Sequence, residues 1–415
     1  MPTSILTENE FGRGEVLSWA SIVEDACIDQ ATMMSRHPAV KGHLALMPDA
    51  HFGFGPPVGS AIVFDKGVMP YAVGVDIGCG MIAHRTTLKR GDFNVPIERH
   101  VVNLLAQYVP AGVGKDHGQT APLDYFVWRE SRGLPPGITE ESGLMYRGET
   151  LTSQLGPLSK KIALQFGTLG AGNHFVEVAC DEDENVWFFL HSGSRGIGNI
   201  LATAHTQKAK AQCKEQGKVL EHPDFAWFEK DSPEYAAYWA DMQWAQDYAY
   251  AQREAMMRTL TGIVDDSLQG KAFDIDQRVN CHHNYAETQE DGTILTRKGA
   301  IDASFGKYGA IPGSMGTSSY IVQGLGNEDA YRTSAHGAGR VLGRKAAKKA
   351  LDIDEFKNQM AGKTWQDRDA ADLLDEAPNA YKPIEQVLLD SKELVCPTAR
   401  LTQFINYKGT KGRAR

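Results

Sequence analysis

The sequence has no long apolar run, no paired cysteines and no excess of positive charge, and each absence excludes a class of protein. Its apolar stretch from Val68 to Ala83 is broken by Asp76 and by glycines. No segment therefore reaches the roughly 18–20 apolar residues that a membrane-spanning helix needs. The segment from Met1 to Gly14 carries acidic side chains and has no apolar signal core. These features predict a cytoplasmic protein without a membrane partner.

The cysteines and the charge balance exclude two further classes. The six cysteines, at positions 27, 79, 180, 213, 281 and 396, show no paired spacing, which indicates reduced thiols rather than a disulfide framework. The formal net charge is −9, so the surface is not that of a general nucleic-acid coat. A polyanionic partner would need a local basic patch, and the candidates are Arg344 to Lys349 and the tail from Lys408 to Arg415.

Glycine, by contrast, is abundant and clustered. The 42 glycines concentrate around residues 53–80, 167–172, 193–198, 299–326 and 337–343, and each cluster lies beside a candidate functional residue. Because glycine lets a ligand approach the backbone closely, this pattern predicts one site assembled from several glycine-rich loops. A β-rich scaffold with many tight turns would need the same glycines, and composition alone leaves that alternative open.

Strands and helices are predicted without regular alternation. A helix should begin after Ser232-Pro233, an N-cap followed by proline at the first helical position, and run to about Leu260. A second helix should follow Ala338-Gly339 and end near Leu351. The pattern favours an α+β fold, a single mixed α/β domain over residues 1–415 with a flexible tail at 409–415. Predicted strands cover residues 43–47, 60–63, 174–178, 186–191 and 294–297.

The run from Asp76 to Gly80 sets a carboxylate and a thiol three residues apart in a glycine-rich turn. A hard oxygen ligand beside a soft sulfur ligand suits Mn²⁺, Zn²⁺ or Fe²⁺ better than Mg²⁺ or Ca²⁺. A thiolate can also bridge two cations, so Cys79 could serve a binuclear site. A buried structural cysteine beside a turn aspartate is the alternative.

Several histidines extend this candidate metal site. His191 ends an apolar strand before a serine- and glycine-rich loop in which Arg195 has the geometry to bind phosphate. His282 and His283 are adjacent, and neighbours on a strand point to opposite faces, so at most one should face a given metal. Asp49 and His51 could ligate a metal or support its ligands, although Asp49 could equally cap a turn.

Two further histidines stand in glycine-rich contexts. Around His174, an extended chain would put Asn173 and Glu177 on one face and the histidine on the other. His336 precedes Gly337-Ala338-Gly339 at a predicted helix N-terminus, where backbone N–H groups favour phosphate and where a histidine can act as a nucleophile.

Together these motifs resemble the RtcB family of RNA ligases. The resemblance runs from about His43 to Lys408 and rests on motifs in the same order along the chain. One departure is Ala335, where the family commonly has serine before the histidine. The motifs are Met47-Pro48-Asp49-x-His51, Val73 to Gly80, Gly172 to Phe175, His191 to Gly196, Asn280 to Tyr285, Pro312 to Gly316 and His336 to Arg340.

The resemblance implies a fold of the RtcB type and two Mn²⁺ ions bridged by Cys79. Asp76, Cys79 and His174 would hold one ion, and Cys79, His191 and His283 the other. His336 would be the catalytic residue that takes GMP from GTP, and Arg195 matches a position associated with RNA or phosphate. Guanosine contacts are implied for Asn173, His174, Phe175, Val176, Glu177, His283, Asn284, Pro312, Gly313, Ser314, Met315, Ser319, His336, Gly337, Ala338, Gly339 and Lys408.

The implied reaction is GTP-dependent joining of RNA ends bearing a 3′-phosphate or 2′,3′-cyclic phosphate to ends bearing a 5′-hydroxyl, with an archease-type activator as an expected partner in some relatives. Two alternatives stay open. A binuclear phosphodiesterase would use the same metal ligands but would not need His336 or a guanine pocket. A non-enzymatic RNA- or GTP-binding protein would keep only a vestigial site.

Overall fold

The computed structural model describes residues 1–125, 127 and 159–410. Its helices are α1 (Asp25–Ser35), α2 (Pro70–Val73), α3 (Val95–Tyr108), α4 (Ser159–Gln165), α5 (Arg195–Glu215), α6 (Pro233–Ser267), α7 (Arg344–Ala350), α8 (Ile353–Gln359), α9 (Ala370–Leu373) and α10 (Ile384–Asp390). Its strands are β1 (Thr3–Asn9), β2 (Gly12–Ser18), β3 (Val40–His51), β4 (Val58–Phe64), β5 (Gly67–Val68), β6 (Gly80–Lys89), β7 (Phe175–Cys180), β8 (Asn185–Ser192), β9 (Phe228–Glu229), β10 (Ile275–His282), β11 (Asn284–Thr288), β12 (Ile294–Lys298), β13 (Ala300–Asp302), β14 (Tyr308–Ile311), β15 (Ser319–Gly324), β16 (Thr333–Ala335) and β17 (Val395–Lys408).

Two large sheets organise the described chain. One has six strands in the order β1-β2-β3-β4-β12-β11, and the other has seven in the order β10-β6-β8-β7-β17-β15-β14. Two-stranded sheets pair β13 with β16 and β5 with β9. Adjacent strands in these sheets are antiparallel except β2 and β3, which run parallel. Strands and helices do not alternate, so the predicted α+β class with mixed elements is confirmed.

The seven-stranded sheet is buried on both faces because its central strands are apolar throughout. Along β8, Phe188 and Leu190 pack on one face with apolar side chains of α3 and α6. Trp187 and Phe189 pack on the opposite face. Since strand side chains alternate, His191 continues the Trp187 and Phe189 face and is delivered to the end of the sheet.

Most predicted elements are present, with one error. The five predicted strands overlap β3, β4, β7, β8 and β12. The helix capped by Ser232 exists and extends to Ser267. The helix predicted to follow Gly339 is wrong in its start: it begins only at Arg344, because Gly339 has a left-handed φ of +72° and Gly343 is extended.

The predicted flexible tail falls partly outside the described residues. Gly409 packs so closely on Gly112 and Gly170 that a Cβ there would meet their backbones. Residues 411–415 lie outside the described part of the chain, and a single domain over residues 1–415 stays a prediction. Among the helices that the structure describes, none combines the length and apolar character needed to span a bilayer.

The N-cap of α6 provides a test of this fold. Ser232 Oγ accepts a hydrogen bond from the Tyr235 N–H at 3.1 Å, so Ser232→Ala should lower the free energy of unfolding by about 1 kcal/mol. Ser267→Ala is the matched control, since Ser267 only bonds back to the Ile263 carbonyl within the same helix. Denaturant midpoints measure both, and equal effects would contradict the capping role.

Candidate metal centre and nucleotide cavity

Asp76 and Cys79 lie in a tight turn that leads into β6. The Cys79 N–H donates to Asp76 O at 3.1 Å. Gly78 has a φ of +72°, and a Cβ there would lie 2.7 Å from the Gln246 Cα, so only glycine fits the turn. Ser194 orients the carboxylate, because its N–H and hydroxyl lie 3.0 and 3.3 Å from Asp76 Oδ1. The other carboxylate oxygen, Oδ2, is left 3.1 Å from His174 Nε2.

His174 and His191 come from adjacent ends of the neighbouring strands β7 and β8. His174 Nδ1 lies 2.9 Å from Leu169 O, and His191 Nδ1 lies 3.2 Å from Asn173 O. A carbonyl can only accept, so each Nδ1 carries the proton and each Nε2 presents a lone pair. Both Nε2 atoms face Cys79 Sγ, at 3.3 and 3.2 Å.

The two adjacent histidines at the end of β10 point in opposite directions, as predicted. His282 Nδ1 lies 2.8 Å from Gly78 O, behind the turn. His283 Nε2 lies 2.9 Å from His191 Nε2, so His283 is the one that faces the cluster. Its Nδ1 has no hydrogen-bond partner among the described residues.

A buried guanidinium holds these segments together. Arg253, on α6, is fully buried. It donates to Gly78 O at 2.7 Å, to Ser192 O at 3.1 Å and to Asn280 Oδ1 at 3.0 Å. The turn of Asp76, the end of β8 and strand β10 are thereby joined at one point.

The five donor groups fit a divalent transition metal. Neighbouring donor atoms in this cluster lie 2.9–3.3 Å apart, and those of Cys79, His174 and His191 all lie within 4.8 Å of one another. Ligand atoms bonded to one ion at about 2.0–2.3 Å have separations of that order. Without a cation, the imidazole lone pairs and the carboxylate would crowd together in a buried space with few donors to satisfy them. Nitrogen, sulfur and oxygen donors together favour borderline metals.

The pKa shifts of the cluster side chains also fit a metal-binding site. Burial, with Asp76 beside it, raises the pKa of the Cys79 thiol well above its ordinary value. Burial also lowers the pKa values of His191 and His283, which keeps both rings neutral, as metal ligation requires. A bound cation would reverse the effect on the thiol, since a coordinating thiol is deprotonated.

His336 lies beside this cluster, but not where the sequence placed it. The predicted helix N-terminus is wrong, because His336 directly follows β16 and begins a loop. Its ring centroid is 4.5 Å from that of His283. Its Nδ1 lies 2.6 Å from Asp49 Oδ2, and its backbone N–H donates to the same oxygen at 3.1 Å. Asp49 therefore orients the histidine and does not face the metal ligands.

The cluster and His336 open onto one cavity of about 380 Å³. Two of the predicted contacts do not face it. Val176 packs in the core on the opposite face of β7, and His174 is turned toward Asp76. The predicted contacts in the cavity wall are Asn173, Phe175, Glu177, His283, Asn284, Pro312, Gly313, Ser314, Met315, Ser319, His336, Gly337, Ala338, Gly339 and Lys408.

The cavity wall also contains a charged group that sequence reasoning missed. Lys408 Nζ lies 3.1 Å from Glu376 Oε2, and the Tyr381 hydroxyl donates to the same oxygen at 2.7 Å. Burial would raise the pKa of Glu376, but Lys408, Arg344 and Arg340 outweigh it and lower that pKa to about 2. Lys408 was a predicted contact, and Arg340 and Arg344 stood in a motif and a basic run, but Glu376 and Tyr381 stand in unremarkable sequence and were missed.

Arg195 was expected to contact phosphate, but its side chain is held by Thr168 away from the cavity wall. Its Nε donates to Thr168 Oγ1 at 2.9 Å, and its φ of +61° is left-handed. It is not among the residues that line the cavity.

Comparison with known proteins agrees with these motifs. The family model described as "tRNA-splicing ligase RtcB" matches residues 30–409. The chain is 35% identical over 399 residues to "RNA-splicing ligase RtcB" of Escherichia coli K12, covering 93% of this chain and 95% of that protein. It is 30% identical to "tRNA-splicing ligase RtcB" of Nanoarchaeum equitans, covering 89% and 88%, and 28% identical to the protein of that name from Thermococcus kodakarensis, covering 88% and 87%.

The position of Cys79 between two histidines predicts the effect of removing its sulfur. Because its sulfur contacts both His174 and His191, Cys79→Ala should lose most of the bound transition metal after desalting, as measured by elemental mass spectrometry. Cys281→Ala removes another buried thiol, one that packs in the core, and should retain wild-type metal content. Equal metal content in Cys79→Ala and wild type would show that the sulfur is not a ligand.

Proposed function

This chain belongs to the RtcB family, and we propose that it is a GTP-dependent RNA ligase. It joins RNA ends with a 3′-phosphate or 2′,3′-cyclic phosphate to ends with a 5′-hydroxyl. The observation that carries this proposal is the position of His336, a candidate nucleophile beside Asp49 in a cavity that Asp76, His191 and His283 of the metal-binding cluster also line. A phosphodiesterase would need the cluster but would not need a nucleophilic histidine or a guanine pocket beside it.

The donor set fits two Mn²⁺ ions. Asp76, Cys79 and His174 would hold one, and Cys79, His191 and His283 the other. When bound, the ions neutralise charge on phosphate oxygens and activate water, and the thiolate favours Mn²⁺ over Mg²⁺.

Asp49 prepares His336 for attack on phosphorus. Its Oδ2 lies 2.6 Å from Nδ1, and a proton held on Nδ1 by this carboxylate would leave the Nε2 lone pair free to react. Nε2 attacks the α-phosphorus of GTP, an N–P bond forms, the bond to the β-phosphate oxygen breaks and pyrophosphate leaves.

RNA then takes the guanylyl group. An oxygen of the RNA 3′-phosphate attacks the phosphorus on His336, the N–P bond breaks, and the histidine is regenerated. The 5′-hydroxyl oxygen attacks the activated 3′-phosphate, GMP departs, and the new phosphodiester is complete. A cyclic phosphate must first be opened by water to give the 3′-phosphate.

Glu177 supports a preference for guanine. Its Oε1 accepts a hydrogen bond from Asn406 Nδ2 at 2.6 Å, whereas its Oε2 is buried without a partner among the described residues, and the side chain lines the cavity. Burial raises the pKa of this carboxyl, so a ligand N–H group that pairs with it would relieve an unfavourable position. Guanine carries such N–H groups on the edge where adenine has an acceptor.

Labelling with α-³²P-GTP tests the proposal. Wild-type protein with Mn²⁺ should acquire an acid-labile, base-stable phosphoramidate, because the guanylyl group is carried on nitrogen. His336→Ala should abolish the label, and Cys79→Ala should abolish it by removing the metal. Folded, Mn²⁺-loaded wild type that takes no label would overturn the ligase proposal and favour the hydrolase.

Asp49→Asn tests how the histidine is positioned. An amide cannot hold the Nδ1 proton as a carboxylate does, so guanylylation should slow by about 100-fold or more while metal content is kept. Asp183→Asn, on the exposed turn between β7 and β8, is the matched control. Single-turnover labelling measures both variants, and a rate within twofold of wild type for Asp49→Asn would show that another group orients His336.

A further inference from the structure

An exposed aromatic loop forms part of the wall of the catalytic cavity. Phe52 and Phe54 are 58% and 71% exposed, and both line the cavity that contains His336. Tyr71 lines it as well, with its ring centroid 6.5 Å from that of Phe54. Exposed phenylalanines usually stand singly on a surface. Two on one loop, at the opening of a reactive cavity, require a separate explanation.

Three side chains hold the backbone of the loop by hydrogen bonds, and two of them, Lys298 and Gln30, are buried. Lys298 Nζ donates to Pro56 O at 2.7 Å and also to Phe54 O. Gln30 exchanges hydrogen bonds with the backbone of Gly53. The Phe52 N–H donates to Glu24 Oε1 at 2.7 Å. The two aromatic rings are therefore presented on a fixed backbone, which lowers the entropic cost of binding a ligand.

Close packing links this loop to the reactive histidine. A Cβ on Gly53 would lie 2.9 Å from Val58 Cγ2. Val58 in turn abuts Gly299, where a Cβ would lie 3.1 Å from His336 Cε1. One layer of small residues thus separates the loop from the ring on which the guanylyl group would be carried.

We propose that Phe52 and Phe54 form a stacking platform for an unpaired nucleobase of the RNA end that is being joined. The inference rests on the proposed ligase function, because it takes the cavity to be the place where RNA meets His336. None of the proposed guanosine contacts lies on the aromatic loop, which leaves the loop to the other substrate. Arg344 also lines the cavity and keeps 42% of its side chain exposed, and aromatic faces with a cation in the same site are the usual composition of a single-stranded RNA site.

Binding of short single-stranded RNAs to Mn²⁺-loaded full-length protein, followed by fluorescence anisotropy, tests the platform. The double variant Phe52→Ala/Phe54→Ala should bind about 10-fold more weakly or worse, the range expected when base stacking on aromatic residues is lost. Phe54→Trp should keep the affinity and Phe54→Leu should lose it, because stacking needs an aromatic face. Phe305→Ala is the matched control, since Phe305 is 85% exposed and does not line the cavity.

An abasic nucleotide shows which RNA end stacks on the platform. One RNA carries it at the 3′-phosphate end and another at the 5′-hydroxyl end. One of the two RNAs should bind wild type about 10-fold more weakly than intact RNA, and neither should bind the double variant more weakly than intact RNA does. The end that responds is the one that stacks. The inference is overturned if the double variant binds intact RNA within twofold of wild type, if Phe54→Leu matches wild type, or if abasic RNA loses affinity equally for both proteins.

The GMP label on wild type separates this result from the proposed function. Absence of the label would refute the ligase proposal whatever the binding data show. Normal labelling and joining by wild type, with RNA affinity unchanged in the double variant, would refute the stacking platform alone.

Discussion

The metal-binding cluster depends on one buried cation, the guanidinium of Arg253. It donates to Gly78 O and Ser192 O and to the Asn280 side chain, so one side chain connects the three segments that deliver Asp76 and Cys79, His191 and His283. Among the described residues no carboxylate lies within ion-pair distance of it. Oriented carbonyl oxygens and the nearby anionic donors must therefore balance its charge. Its hydrogen bonds fix the three segments relative to one another, and the neighbouring donor atoms of Cys79, His191 and His283 lie 2.9–3.2 Å apart.

Burial also decides what this cluster can do. The imidazoles of His191 and His283 are kept neutral and the Cys79 thiol is kept protonated until a cation arrives, so metal binding, deprotonation and charge balance become one event. The arrangement is poorly suited to an empty state, because lone pairs face one another across about 3 Å. It is well suited to a borderline divalent ion, and the ring of His336 lies beside that of His283, one of the candidate ligands.

The cavity then has two different walls. One contains Glu177 with an unpaired carboxyl oxygen, the loop from Pro312 to Ser319, and Lys408 paired with Glu376. This wall can form hydrogen bonds with the edge of a base. The other contains Phe52 and Phe54, whose aromatic rings can stack on a base but cannot form hydrogen bonds with it. The proposed guanine pocket and the proposed RNA platform would need these two kinds of surface, and both surfaces line the cavity that contains His336.

The sequence alone predicted the features that depend on short-range neighbours. Ser232-Pro233 predicted the start of α6, alternation predicted that only one of His282 and His283 would face the cluster, and the Asp76–Cys79 spacing predicted a mixed-donor metal site. These features depend on neighbours within a few residues. Tertiary structure alone decided that Asp49 serves His336, that His336 lies in a loop and not at a helix N-terminus, and that Glu376 and Tyr381 join Lys408. It also turned Val176 away from the cavity and placed Phe52 and Phe54 at its edge. Those outcomes depend on packing between segments tens to hundreds of residues apart, and no local propensity or periodicity carries that information.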